Sequence, residues 1–286
     1  ELIPSVRKGQ VEARVCLKND TEIPFEGRLT HRVREWKSGR EVWEDSQPVR
    51  LSAGQSYVIG WKRLWTDAVL WSPQNPFLYV WEAHLTGKDG TEDKKEQRFG
   101  FREFWIEGSS FYLNGIPVKL RGDSWHFQGA VQQTKEYAEN WYRICRMSGI
   151  NSVRLHAEPH PTYYLDAADE MGMLIVDETA IHGSGKAMDA SNPVFLDNCR
   201  RHVRQLVRRD RNHPSVVIWS LENEMRWVDG RDEYKRHIPE LMGLMHEEDH
   251  SGRPISLDGD NRLISREDTE IGSLHYNIDR TIGQGD

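Results

Sequence analysis

The stretch Val216–Met225 changes abruptly from apolar to polar residues, and its polar half carries groups that can transfer protons. It begins with three apolar residues that favour β-strands, and its polar part contains Glu222, Asn223 and Glu224. A short apolar run bounded by polar residues is typical of a strand that is buried on both faces of a parallel sheet. Carboxylates at the carboxyl end of such a strand can act as a general acid or base, because α/β barrels carry their chemistry at that end. The alternative is a buried strand followed by a solvated acidic turn.

Ionisable and aromatic residues recur at the carboxyl end of every strand that the sequence predicts beyond residue 106. In chain order they are Asp123, Ser124, Trp125, His126, Arg154, His156, Asp177, Glu178, Asn223, Glu224, Asp258, Asp260, His275 and Tyr276. Each residue alone could be a helix cap, a turn residue or half of an ion pair. Because the carboxyl ends of parallel strands lie at one edge, their joint placement predicts a single catalytic face.

The spacing of potential metal ligands does not fit a metal centre. His156 and His160 are four residues apart, but Pro159 forbids the helix that a zinc-binding histidine pair requires. The three cysteines are far apart, and we interpret them as free, mostly buried thiols. The sequence also contains neither a nucleotide-binding loop nor a nucleophilic-serine elbow. We therefore expect no metal and no cofactor.

The net charge of -7 argues against a nucleic-acid partner, for which a basic patch is expected. No stretch is long enough for a transmembrane helix, so we expect no membrane partner. Glu1–Ser5 does not resemble a signal peptide, and the chain begins without Met, so we interpret it as a mature form or an excised piece. The compartment, cytoplasmic or periplasmic, stays open, and so does a homo-oligomer.

Strands and helices alternate from about residue 107, which indicates a parallel sheet with helical crossovers. Besides the opening stretch, the predicted strands are Val118–Arg121, Asn151–Leu155, Met173–Asp177, Pro254–Leu257 and Ile271–Leu274. These are six of the eight strands of a (β/α)8 TIM barrel, and the span of about 180 residues compares with roughly 250 for a typical barrel. We therefore expect a C-terminally truncated TIM barrel over residues 106–286.

Four helices are predicted between these strands. The first begins near Thr134 and ends at Gly149, and its expected inward stripe consists of Tyr137, Trp141, Ile144 and Met147. The others run from Thr162 to Gly172, from an N-cap at Asn192, and from Arg231 to about Glu248 with a break expected at Pro239.

Residues 1–105 have an all-β pattern with turn signals between short strands, which is typical of an immunoglobulin-like β-sandwich. The predicted strands are Val11–Lys18, Gly27–Trp36, Ser56–Trp61, Leu78–Thr86 and Lys95–Phe101. A hairpin over Asn114 and Gly115 is predicted to follow. The chain has eleven Trp, a surplus that suits sugar-binding surfaces as well as sandwich cores.

The stretches Arg209–Ser215 and Trp219–Glu224 together resemble the acid/base signature of glycoside hydrolase family 2, which contains β-galactosidases, β-glucuronidases and β-mannosidases. Leu70–Tyr79 and Arg98–Arg102 resemble the second domain of that family and its exit into the barrel. The resemblance implies that Glu224 is the general acid/base and that Asn223 contacts the sugar 2-hydroxyl. It assigns no role to Glu222, where the family varies.

The resemblance extends to other substrate-binding residues. It implies that Arg154 supports the active-site carboxylates, although an ordinary strand-end ion pair is the alternative. Glu178 matches an acidic doublet that holds the sugar or tunes the acid/base, or else forms a structural ion pair. His126 fits a motif of galactosidases, whereas Trp125 resembles the residue pattern of mannosidases. Asp123, His275 and Tyr276 complete the expected site by their positions at strand ends.

Some residues depart from the family's pattern. Ala157 stands where a sugar-binding His is frequent, and Ser124 does not fit the galactosidase motif, so the bound sugar stays open. His182 could reach the site, although an exposed loop His is the default interpretation.

A retaining glycosidase needs a second carboxylate about 5 to 5.5 Å from the acid/base. The family's nucleophile is a Glu at the end of strand seven, so we expect it beyond Asp286 and expect this chain alone to be inactive. The predicted function is a retaining, β-galactosidase-like exo-β-glycosidase acting on a carbohydrate substrate. β-Glucuronidase or β-mannosidase specificity, or a non-catalytic carbohydrate-binding or scaffold protein, are the alternatives.

Overall fold

The computed structural model describes residues 1–126, 129–183, 189–225, 228–258 and 270–273. The chain forms two compact units. The first comprises Glu1–Glu103, Leu113–Ile116 and Asn212–Pro214, and the second comprises Phe104–Tyr112, Pro117–Arg211 and Ser215–Asp286.

The first unit is a sandwich of two antiparallel sheets, as the turn spacing predicts. Its strands are β1 (Leu2–Ser5), β2 (Gln10–Lys18), β3 (Phe25–Glu35), β4 (Glu41–Leu51), β5 (Ser56–Leu64), β6 (Tyr79–Gly87) and β7 (Glu92–Phe99). One sheet has the order β1-β2-β5 and the other β4-β3-β6-β7. Strands β1 and β4 are absent from the prediction, because β1 is short and β4 contains Pro48 among charged residues.

Much of the tryptophan surplus lies in the sandwich core. Trp43, Trp61, Trp65 and Trp81 are all buried there. The ring of Trp43 lies 5.0 Å from that of Trp61 and meets that of Trp65 edge-on at 5.5 Å. These four tryptophans therefore stabilise the sandwich by burying large apolar surfaces in edge-to-face and tilted contacts.

A small three-stranded sheet follows, formed by β8 (Phe104–Glu107), β9 (Ser110–Leu113) and β10 (Ile116–Val118). The turn between β9 and β10 consists of Asn114 at φ 54° and Gly115 at φ 85°. Two successive positive φ values are what a tight hairpin turn requires, and Asn-Gly is the preferred pair there. The predicted hairpin is confirmed.

The second unit contains a parallel sheet with helical crossovers. Its strands are β11 (Gly122–His126), β12 (Ser152–His156), β13 (Leu174–Glu178), β14 (Val216–Asn223) and β15 (Ile255–Asp258), in that spatial order. Its α-helices are α1 (Lys135–Met147), α2 (Thr162–Met171), α3 (Pro193–Asp210) and α4 (Arg231–Glu248). All four strand pairs are parallel, so the carboxyl ends of the five strands lie along one edge. This is the strand–helix alternation of a TIM barrel.

The first barrel strand was predicted wrongly at Val118–Arg121. It lies at Gly122–His126, where pairing in register with Ser152–His156 sets its position. Local hydrophobicity gave no indication, because this strand has few apolar residues.

The inward face of α1 also differs from the prediction. Trp141 of the predicted stripe is buried, but Ile144 and Met147 are 63% and 82% exposed, and the helix buries Ala138, Tyr142 and Cys145 in their place. This helix has two overlapping rows of apolar residues along its surface. The row that is buried places the small Ala138 against the core.

The expected break in α4 does not occur, since the helix continues through Pro239. Proline removes one backbone hydrogen bond, whereas Ile238, Leu241 and Met242 beside it are buried in the core and hold the helix in place.

Other predicted boundaries are confirmed. The Asn192 side chain accepts a 2.9 Å hydrogen bond from the Val194 amide at the start of α3, and Gly172 ends α2 at φ 72°. Ile271, in the predicted strand six, forms a parallel bridge with Ser256, while Leu274 lies outside the described residues. Within the described ranges, no helix combines the length and the apolar character needed to cross a lipid bilayer.

Candidate active site

The chain leaves strand β14 through an unusual backbone conformation at Glu224. All eight residues of β14 are buried, and Glu224 follows at φ 54°. Only one other described residue besides glycine, Asn114, has a positive φ. A left-handed conformation in a residue with a side chain is unfavourable and persists where neighbouring structure holds it.

Backbone hydrogen bonds from both sides hold this turn. The amide of Asn223 donates to the carbonyl of Ile181 at 2.9 Å, and the carbonyl of Asn223 accepts from Gly183 at 2.8 Å. On the other side the amide of Glu224 donates to the carbonyl of Asp258 at 3.1 Å. The backbone that carries both predicted functional residues is thus fixed by the segment that follows β13 and by the last residue of β15.

Arg154 connects the ends of the neighbouring strands. Its Nε and Nη2 donate to the two carboxylate oxygens of Glu178 at 2.8 and 3.0 Å. Nη2 also donates to Oδ1 of Asn223 at 2.6 Å, and Nε lies 2.5 Å from Oδ2 of Asp258. A planar guanidinium suits this role, because its donors have a fixed geometry that matches carboxylate and amide oxygens.

Glu178 is fully buried and accepts hydrogen bonds on both of its oxygens. Besides Arg154, it accepts from the hydroxyl of Ser220 at 2.6 Å and contacts Nδ1 of His156 at 3.1 Å. Glu178 is therefore suited to orient Arg154 and His156.

Asn223 is only 1% exposed, and its two side-chain atoms differ in their surroundings. Oδ1 accepts the hydrogen bond from Arg154, which fixes the orientation of the amide. In the part of the chain that the structure describes, Nδ2 has no hydrogen-bond partner. Burying an amide donor without a partner costs about 1–3 kcal/mol, so such a group indicates a place where a ligand can accept a hydrogen bond.

Three imidazole rings follow one another beside these residues. The rings of His126 and His156 are 4.1 Å apart, and those of His156 and His182 are 5.9 Å apart. Burial lowers the pKa of His126, and the neighbouring histidines lower it further. Burial and the nearby His156 also lower the pKa of His182, while the charge of Glu224 acts in the opposite direction.

His182 is not the exposed loop residue of the default interpretation. It is half-buried and forms a parallel bridge with Asn223.

The structure brings some predicted site residues together and leaves others apart. Arg154, Glu178 and Asn223 form one hydrogen-bonded group, and Glu224 adjoins it along the chain. Asp123 does not join them, because its carboxylate accepts a hydrogen bond from Trp141 in α1 at 3.3 Å.

Three further residues of the predicted site cannot be placed. The side chain of Trp125, a β11 residue, lies outside the described part of the structure, as do His275 and Tyr276 entirely.

Residues 1–102 match the family described as Glycosyl hydrolases family 2, and residues 101–283 match the description Glycosyl hydrolases family 2, TIM barrel domain. The chain belongs to glycosyl hydrolase family 2. The predicted resemblance and the predicted order, a sandwich followed by a barrel, are confirmed.

Individual members of the family resemble most of the chain. Beta-galactosidase BgaC of Bifidobacterium adolescentis is 28% identical over 274 residues, which cover 86% of this chain and 24% of that protein. The structure of a GH2 beta-galacturonidase from Eisenbergiella tayi bound to galacturonate matches with a TM-score of 0.78 and 27% identity, covering 90% of this chain and 45% of that one.

A third relative was solved with a covalent ligand. Bacteroides uniformis beta-glucuronidase 2, covalently bound to cyclophellitol-6-carboxylate aziridine, matches with a TM-score of 0.76 and 25% identity over 92% of this chain and 33% of that one. The chain thus spans about a quarter of the curated beta-galactosidase and less than half of each of these two solved structures.

Ser220 also contributes to this site, although the sequence analysis did not identify it. Ser220 pairs in register with Glu178, which places its hydroxyl on the same side of the sheet, and it is fully buried there. The register across β13 and β14 is a tertiary property, so the sequence carried no direct signal for this contact.

Proposed function

We propose that the protein containing this chain is a retaining exo-β-glycosidase, and that Glu224 is its general acid/base. The observation that carries the proposal is the fixed amide of Asn223. Its Nδ2 is a buried donor without a partner in the described residues. Glu224, which carries the proposed acid/base carboxyl group, is the next residue in the chain. A sugar hydroxyl that accepts from Nδ2 would be held beside Glu224.

In the proposed reaction Glu224 donates its proton to the glycosidic oxygen while a second carboxylate attacks the anomeric carbon. The bond to the leaving group breaks, and a covalent glycosyl-enzyme forms. Glu224, now ionised, removes a proton from the attacking water, which releases the sugar and restores both carboxyl groups. The second carboxylate is proposed to come from a position beyond Asp286.

Three considerations support this assignment. Glu224 directly follows Asn223 at the end of β14, and its backbone amide donates to the carbonyl of Asp258, which fixes its position there. Relatives carry the names beta-galactosidase, beta-galacturonidase and beta-glucuronidase. A covalent ligand in one of them fits a mechanism that uses a nucleophile.

The first experiment measures hydrolysis of a panel of nitrophenyl β-glycosides by the complete gene product. The panel includes galactoside, glucoside, mannoside, glucuronide and galacturonide. Turnover of at least one member with retention of anomeric configuration supports the proposal and identifies the sugar. Binding of these sugars without turnover would favour the second candidate, a carbohydrate-binding protein on the same fold.

A further inference from the structure

His156 was not assigned a role in the sugar site, and its contacts define its hydrogen-bonding state. Its Nδ1 lies 3.1 Å from Oε1 of Glu178. Because Glu178 also accepts from Arg154 and Ser220, it acts as an acceptor, and Nδ1 must carry the proton. A ring that holds a single proton at Nδ1 presents a lone pair at Nε2.

The Nε2 atom has no hydrogen-bond partner in the part of the chain that is described. The His156 side chain keeps 13% of its surface exposed, in contrast to the fully buried Glu178. Ala157, the next residue, offers no polar side-chain atom that could bind a sugar in its place.

A continuous chain of hydrogen bonds connects His156 to Asn223. It runs from Oδ1 of Asn223 to Nη2 of Arg154 at 2.6 Å, on to Oε1 of Glu178 at 3.0 Å, and to Nδ1 of His156 at 3.1 Å. One end of this chain presents a donor without a partner, Nδ2 of Asn223, and the other end presents an acceptor, Nε2 of His156. Neighbouring hydroxyl groups of a sugar ring can serve both ends, because each hydroxyl both donates and accepts.

We propose that His156 is a specificity-determining residue whose Nε2 accepts a hydrogen bond from a second hydroxyl group of the sugar that Asn223 binds. This inference rests on the proposed glycosidase function. The buried Glu178 fixes the tautomer, and Arg154 fixes the spacing between the two ligand-binding ends. The site is then selective for sugars that carry an unsubstituted hydroxyl group at the contacted position.

The neighbouring rings suit a neutral hydroxyl group. Burial lowers the pKa of both His126 and His182, which favours the uncharged form of these two rings. They flank His156 at 4.1 and 5.9 Å without placing a positive charge against its lone pair.

Two substitutions separate the two nitrogen atoms of His156. In His156→Asn the side-chain amide can still donate to Glu178 in place of Nδ1, but no atom replaces Nε2. In His156→Gln the longer side chain places an oxygen acceptor near the position of Nε2. Both variants are made in the complete gene product, and their melting temperatures are compared with that of the wild type.

The measurement is kcat/KM for the preferred aryl β-glycoside and for its monodeoxy analogues, each lacking one hydroxyl group. We expect His156→Asn to lower kcat/KM for the parent glycoside about 10-fold to 100-fold, as for loss of a well-placed hydrogen bond. For one deoxy analogue the variant and the wild type should agree within about threefold, since the contact is already missing. His156→Gln should recover part of the loss.

Two results would overturn the inference while leaving the glycosidase function intact. They are wild-type kinetics in His156→Asn on all substrates, and an equal loss on the parent glycoside and on every deoxy analogue, which indicates a purely structural role. Failure of the wild-type protein to hydrolyse any glycoside would instead overturn the proposed function, and this inference with it.

Discussion

Nη2 of Arg154 donates a 2.6 Å hydrogen bond to Oδ1 of Asn223, and this bond fixes the orientation of the Asn223 amide. Without it the amide could rotate and present its oxygen instead of its nitrogen. The same guanidinium is held by Glu178 on β13 and contacts Asp258 on β15. Three strand ends thereby position one amide group beside Glu224.

Replacing Arg154 with lysine should keep the positive charge and lose this geometry. An ammonium group is a point charge and cannot donate in two fixed directions to Glu178 and to Asn223. We expect kcat/KM to fall about 100-fold, the equivalent of one or two charge-assisted hydrogen bonds. The check is steady-state kinetics on the preferred glycoside, with circular dichroism to verify folding. Unchanged kinetics would show that Arg154 contributes only charge.

Gly183 should be required for the position of Glu224. A Cβ atom at residue 183 would lie 2.5 Å from the carbonyl oxygen of Glu224, and backbone atoms cannot easily move away. We expect Gly183→Ala to lower kcat at least 10-fold, because displacing the acid/base by about 1 Å is costly. Gly243→Ala in α4 is the matched control, since a Cβ there meets no atom within 4 Å. Equal activity of the two variants would contradict this account.

The sandwich should lose stability in acid through His31. This residue is fully buried, its ring stacks on Trp61 at 4.7 Å, and burial lowers its pKa to about 4. The unfolded chain binds a proton near pH 6.5 and the folded chain only near pH 4, so stability is present above pH 6.5 and declines as the pH falls towards 4. The contribution is about 3 kcal/mol.

His31→Gln should reduce this acid sensitivity, because glutamine does not titrate. The measurement is the melting temperature at pH 7 and at pH 4.5 for both proteins. We expect the difference between the two pH values to be smaller in the variant. His160, whose pKa burial also lowers to about 4, remains in both proteins and accounts for a residual decline. An identical pH dependence would argue against His31 as a source.

The sequence predicted the order of the elements well, because alternation and helix caps are local signals. The cap at Asn192, the end of α2 at Gly172 and the hairpin over Asn114 all depend on residues within a few positions of one another. The predicted position of the first barrel strand was wrong, because Gly122–His126 is defined by pairing with β12 and not by its own composition.

That error also explains the assignment of Asp123 to the site. With the strand predicted to end at Arg121, the prediction places Asp123, Ser124, Trp125 and His126 together at its carboxyl end. As a strand, they alternate: Ser124 and His126 pair in register with Arg154 and His156, whereas Asp123 pairs with Val153. Side-chain direction at the site therefore depends on register, which the sequence alone did not specify.

The predicted site residues that cluster are those on strands whose ends were predicted closely. Arg154, Glu178 and Asn223 each lie at or within two residues of the end of a strand. Their mutual hydrogen bonds, and those of Ser220 and His156 with Glu178, connect residues that are 22 to 69 positions apart in the chain. Contacts over such separations require the folded sheet.

The central claim is that Glu224 supplies the proton to the leaving group, and leaving-group dependence tests it most directly. The complete gene product, its Glu224→Gln variant and a Glu222→Gln control are compared on two glycosides of the same sugar. One has a dinitrophenyl leaving group, which departs without protonation, and the other has an alkyl leaving group, which requires it. Glu222 is the control because it is the buried carboxyl residue nearest in the chain to Glu224, and the family assigns it no role.

We predict that Glu224→Gln lowers kcat/KM for the alkyl glycoside about 100-fold to 10,000-fold, the usual contribution of a general acid. On the dinitrophenyl glycoside kcat/KM should change far less. Glu222→Gln should change kcat/KM by the same factor on both substrates. An equal loss on both substrates in Glu224→Gln, or no loss on either, would contradict the assignment of Glu224 as the acid/base.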